Sequence, residues 1–118
     1  MLKSSKVVLT IFSWWITATV SVNAAAPALY TAWLEFRFSH AECMSRAYSA
    51  VRATGLITGF EVVGTSTFGE RTDYTASIRC IEGKNLVFFV VTGPIREQCA
   101  EIGKSLEREF RMASPNRP

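Results

Sequence analysis

The stretch from Asp73 to Gly93, DYTASIRCIEGKNLVFFVVTG, decides the architecture. Tyr74, Ala76, Ile78 and Cys80 fall on one side and Thr75, Ser77 and Arg79 on the other, the period of two that marks a strand with one buried face. Glu82-Gly83-Lys84-Asn85 is a turn, its glycine suited to a positive φ. Leu86 to Val91 then runs apolar on both faces, which predicts a strand inside a sheet with at least part of each face covered. Thr92-Gly93-Pro94 stops it and opens a helix, because proline is tolerated in a helix's first turn.

Working outward, Ile95, Cys99, Ile102, Leu106 and Phe110 recur at steps of four and three, one helical stripe. Upstream, Gly59 to Phe68 reads as a strand and Gly69 to Thr72 as the turn after it. Ser39-His40-Ala41-Glu42 fits a capping box, so a helix is expected to follow until about Thr54 and to end at Gly55. Its face of Cys43, Ala47, Ala50 and Val51 is small enough to lie close against a sheet. Thr31 to Phe38 alternates as a further strand, with Trp33 the sole exception. Ala25 to Leu29 reads as a mobile lead and Ser114 to Pro118 as a frayed tail. The expected order is β-α-β-β-β-α: a two-layer α+β sandwich, both helices on one face of a mostly antiparallel four-stranded sheet.

The first two dozen residues have a different character. Lys3 and Lys6 precede Val7 to Val22, an uncharged apolar run; Val22-Asn23-Ala24 places small residues where a signal peptidase cuts, and Ala26 ends a second possible cut. This predicts a signal peptide over residues 1–24 and a single exported domain over 25–118. An uncleaved anchor needs about 20 apolar residues; this run is shorter and broken by Thr and Ser, so a membrane-tethered envelope protein is the alternative. After cleavage at Ala24, 94 residues remain, with 11 basic side chains against 10 acidic ones, because Lys3 and Lys6 leave and no acid does. No membrane span is expected in that remainder.

The whole chain of 118 residues, 48% hydrophobic and 19% charged with a net charge of +3, allows one domain and excludes long disorder and a strongly basic nucleic-acid binder. Along the last helix, Arg96, Lys104, Arg108 and Arg111 interleave with Glu97, Glu101, Glu107 and Glu109, a solvated face rather than a nucleic-acid patch.

The three cysteines, Cys43, Cys80 and Cys99, all point to the expected core. Cys43–Cys80 is the favoured bridge, tying the first helix to the sheet; Cys80–Cys99, Cys43–Cys99 and three reduced thiols are the alternatives. One histidine and three scattered cysteines match no metal-ligand spacing, no CxxC or GxSxG is present, and the glycines have no phosphate-binding spacing. No catalytic, metal or cofactor residues are assigned and no cofactor is expected. Were the chain instead a small secreted enzyme, His40, Asp73 and Cys99 would be its candidates. Phe68, Arg71 and Tyr74, around the first hairpin turn, form a possible recognition edge.

The run Gly64 to Gly93, with Tyr74-Thr75-Ala76-Ser77-Ile78-Arg79-Cys80 and then Leu86-Val87-Phe88-Phe89-Val90-Val91-Thr92-Gly93, resembles short secreted bacterial proteins of unknown function. These pair an early-helix cysteine, here Cys43, with a strand cysteine, here Cys80. The resemblance implies a periplasmic or secreted single domain with that bridge; it brings no catalytic residues, and Cys99 lies outside its pattern. The expected function is an exported, non-catalytic binding or accessory protein of the cell envelope, its partner a protein or another envelope component.

Overall fold

Alternation, helical stripes and turn residues combine in one antiparallel sheet backed by two helices. The computed structural model describes residues 26–113; the expected signal peptide and the tail from Ser114 lie outside them. The elements are β1 (Ala28–Glu35), α1 (His40–Ala53), β2 (Thr58–Val63), β3 (Ser66–Arg71), β4 (Tyr74–Ile81), β5 (Leu86–Gly93) and α2 (Arg96–Met112). Spatially the strands run β1-β5-β4-β3-β2, every neighbouring pair antiparallel.

The α+β class and the two layers are as expected; the sheet has five strands rather than four. The stretch from Gly59 to Phe68 is not one strand. It folds back at Gly64-Thr65, where Gly64 takes a φ of +60°, and the chain returns as β3. Gly69 is therefore not in a turn but in the middle of β3, buried. A side chain there would collide with the Leu56 carbonyl oxygen and with Val51, because the end of α1 and the segment after it press directly on this strand. The glycine serves close approach, and the turn moves on to Thr72-Asp73.

β1 starts three residues earlier and ends three residues earlier than its pattern suggested, so Ala28 and Leu29 belong to a paired strand rather than a mobile lead. Its alternation exposes Leu29, Thr31, Trp33 and Glu35 and turns Ala28, Tyr30, Ala32 and Leu34 toward the helices. Trp33 keeps the period and merely places a large ring on the outer face.

Both helices cover the same face. α1 packs on β3 and β4, α2 on β5 and β1, and the two helices touch each other. The Ser39 hydroxyl accepts the Glu42 amide at 3.1 Å, as a cap should. Glu42 does not complete the box, because its carboxylate accepts from Arg46 at 2.9 Å instead. Ile95 drops out of the α2 stripe: it is the extended residue before the helix and is exposed. Cys99, Ile102, Leu106 and Phe110 are buried against Val87, Phe89 and Val91 of β5 and the rest of the core.

A disulfide joins Cys43 of α1 to Cys80 of β4, with Cα atoms 6.2 Å apart across 37 residues of chain. Closing a span of that length stabilises by about 4 kcal/mol in the chain-entropy account. Cys99 is a free, buried thiol.

Candidate functional site

With both helices on one side, the opposite face of the sheet carries no covering element among the described residues. Strand register arranges that face in rows. Trp33, Phe88 and Arg79 stand side by side on β1, β5 and β4. The next row is Thr31, Val90, Ser77 and Phe68, and the one beyond it Leu29, Thr92, Thr75 and Glu70. The large apolar side chains Leu29, Trp33, Phe88 and Val90 gather over β1 and β5, whereas β4 contributes Arg79, Ser77 and Thr75 and β3 contributes Phe68 and Glu70.

Trp33 is 58% exposed, Leu29 59% and Phe88 38%. The Phe36 amide donates to the Asn85 carbonyl oxygen at 3.0 Å, which sets the parity of the β1–β5 ladder. Even-numbered residues of β1 therefore pair through hydrogen bonds, and Trp33–Phe88 is a pair without them, the kind in which facing side chains come closest. Two large exposed side chains on adjacent strands of an uncovered face form an apolar platform.

A cleft of about 740 Å3 opens at the end of β1, lined by Trp33, Phe36, Arg37, Phe38, Arg46 and Arg111. Its three arginines do not form an anion site. Arg46 is held by Glu42 at 2.9 Å, donates to the Phe110 and Arg111 carbonyl oxygens at 3.0 Å each, and lies 4.4 Å over the Phe38 ring. That guanidinium closes the end of α2. Arg37 and Arg111 remain, both exposed, Arg111 within 3.9 Å of the Glu107 carboxylate.

The recognition edge expected of Phe68, Arg71 and Tyr74 is not assembled. Phe68 is half-buried on the helix-free face, opposite Ser77. Arg71 points to the other face and donates to the Thr54 carbonyl oxygen at 2.8 Å, past the end of α1. Tyr74 is a core residue, 8% exposed, its ring lying against Gly93 where a side chain would not fit. Trp33 and Phe88 are the exposed pair that the sequence reading passed over. The signals were there: Trp33 as the exception to its strand's alternation, and Phe88 on the second apolar face of its own.

The enzyme candidates are also kept apart. His40 begins α1, whereas Asp73 sits in the turn beside Arg71, near the far end. Fourteen residues of helix separate those ends by about 20 Å. Cys99 is wholly buried in α2, its thiol 3.9 Å from the Ala28 carbonyl oxygen, and burial pushes its pKa up, away from the reactive thiolate. Among the described residues no three His, Cys, Asp or Glu side chains gather closely enough to hold a metal ion, and no helix is long and apolar enough to cross a membrane.

These features define a disulfide-linked α+β domain with one uncovered, aromatic-bearing sheet face. No protein-family model matches the chain, and no curated protein and no solved structure matches it.

Proposed function

We propose that the chain is an exported, non-catalytic binding or accessory protein of the cell envelope, periplasmic or secreted, which engages a partner protein through the helix-free face over β1 and β5. The observation that carries this reading is the Trp33–Phe88 pair, cross-strand neighbours left open to water at 58% and 38%. Exposed apolar surface of this kind, bordered by polar side chains such as Ser77 and Arg79, is characteristic of interaction sites. Tryptophan at the centre of such a patch is the residue type that contributes most to protein–protein affinity.

Export is supported by the leader-like residues 1–24 and by the resemblance to short secreted bacterial proteins. The Cys43–Cys80 bridge fits an oxidising compartment, where such bonds persist. The bridge lies between α1 and β4, away from the uncovered face, so it stabilises the platform without occupying it.

The test is site-specific photo-crosslinking in cells that export the protein. A crosslinker at Phe88 is expected to trap one defined envelope protein, and one at Glu101 on the exterior of α2 is expected to trap none. Equal, diffuse labelling from both positions would sink the binding face.

A further inference from the structure

We infer that β1 is a pairing edge, at which a second copy of this chain adds its own β1 antiparallel about a two-fold axis at Thr31. The sheet has two edge strands, β1 and β2, and they differ. β2 is short, its register breaks between Thr58 and Glu61, and Gly59 takes a φ of +59°. Bulges and short edges of that kind are how sheets avoid pairing with other chains. β1 has no such protection. All eight residues hold one unbroken register with β5, no proline interrupts them, and the only charge is Glu35 at the end.

The ladder's parity shows what that edge offers. The Phe36–Asn85 bond directs the amides and carbonyls of even-numbered residues toward β5. The amides and carbonyls of Leu29, Thr31, Trp33 and Glu35 therefore point out of the sheet, and none has a hydrogen-bond partner among the described residues. There is also room beside them. Ala28, Tyr30, Ala32 and Leu34 are only half-buried, whereas their neighbours Val87, Phe89 and Val91 on β5 are fully buried, so α2 reaches β1 but covers it incompletely.

The occupant must be an extended strand whose outward groups match this spacing, and β1 itself matches. With Thr31 facing Thr31 across the two-fold axis, Leu29 of each copy lies opposite Trp33 of the other. The outward groups then close three reciprocal pairs, about six hydrogen bonds. On the helix side Tyr30 meets Ala32 and Ala28 meets Leu34, large against small, with no charge in the seam. The next register sets Glu35 against Leu29 and Trp33 against Thr31, which loses the aromatic–aliphatic pairs. Self-complementarity of one patch is what a two-fold dimer requires. The seam is one strand long, about 27 Å, at the small end for a specific interface, so pairing is concentration-dependent.

Sedimentation equilibrium on the oxidised protein, over a wide concentration range, tests the pairing. The expected result is a mass rising toward twice the monomer's. Thr31→Pro is the informative variant: the Thr31 amide faces outward, so proline in both copies removes the two bonds of the axial pair and leaves the β5 ladder intact. It should remain monomeric with its melting temperature nearly unchanged, whereas Ala32→Pro, which breaks the ladder itself, should lower stability sharply. Should Thr31→Pro fail to fold, Thr31→Cys supplies an independent arm. It should form a reducible covalent dimer at least tenfold faster than Thr75→Cys on β4, because only the former sits on the axis. A wild-type protein monomeric at all concentrations, a dimer that survives Thr31→Pro, or equal crosslinking of the two cysteine variants would overturn the inference. Trp33 belongs to both surfaces, but Phe88 lies on β5, one strand in from the seam, so a Phe88 crosslink that survives Thr31→Pro, or a dimer that forms without that crosslink, tells the two readings apart.

Discussion

Tyr30 on β1 donates its phenol proton to the Glu107 carboxylate on α2 at 2.6 Å, and its ring lies over Gly103 on the same helix. Burial first, and then the bond to Glu107 and its negative charge, push the Tyr30 pKa up from 10.0 to about 12. The folded state therefore holds this proton more tightly than the unfolded chain. The stabilisation is fully present below pH 10 and is lost as pH rises through about 12. Thermal melting followed from pH 8 upward should be flat to about pH 10 and then fall. Tyr30→Phe should fall less steeply over the same interval, and the highest-pH phenolate absorbance transition should disappear with it. An identical alkaline profile for the variant would contradict the assignment.

The Cys43–Cys80 bridge is expected to supply a large part of a small domain's stability. Replacing both cysteines by alanine should cost about 4 kcal/mol in urea unfolding, whereas Cys99→Ala, which leaves the bridge, should cost about 2 kcal/mol through a small cavity. Equal losses would mean that the bridge contributes no more than packing.

Two glycines should respond unequally to one added methyl group. At Gly69 the methyl meets the Leu56 carbonyl oxygen and the Val51 side chain, and backbone must move, so Gly69→Ala is expected to cost at least about 3 kcal/mol. At Gly64 the space is open and only the φ of +60° resists, for about 1 kcal/mol. Chemical denaturation of the two variants side by side checks the order.

Trp33 and Phe88 give the sharpest separation of stability from binding. Trp33→Ser and Phe88→Ser remove exposed rings from a face with no covering element, so each should change stability by no more than about 1 kcal/mol. The same variants should abolish the partner crosslink formed from Val90, their neighbour on that face. A loss of several kcal/mol instead would identify the pair as core.

Much of the fold was legible because period and chemistry agreed. Tyr74 to Cys80 alternates without exception, and all its buried positions face the helices. Ser39 caps α1 as its hydroxyl predicts. The misreadings share a cause: a residue type that serves two physical ends. Glycine marks both a turn and a close approach: Gly69 beside Glu70 and Arg71 reads as the first, whereas Leu56 and Val51 require the second. Proline and glycine at 93–94 suggested an immediate helix, yet Ile95 is extended and α2 begins at Arg96. The recognition trio failed on parity, since Phe68 and Arg71 are an odd number apart and must face opposite sides of one strand. The alternation of β1 puts Trp33 on the outer face, but an apolar ring there reads as an exception to the pattern rather than as a site.

The central claim is that an exported domain is clipped after its leader and then stapled, and intact mass spectrometry of the protein recovered from the cell exterior or periplasm addresses it most directly. The account predicts a chain starting at Ala25 or Pro27, lighter by two hydrogens than its reduced form. Its peptide map should link Cys43 to Cys80, with Cys99 alkylated only after unfolding. A full-length chain confined to the cytosol, with Met1 attached and all three thiols alkylated in the native state, would contradict it.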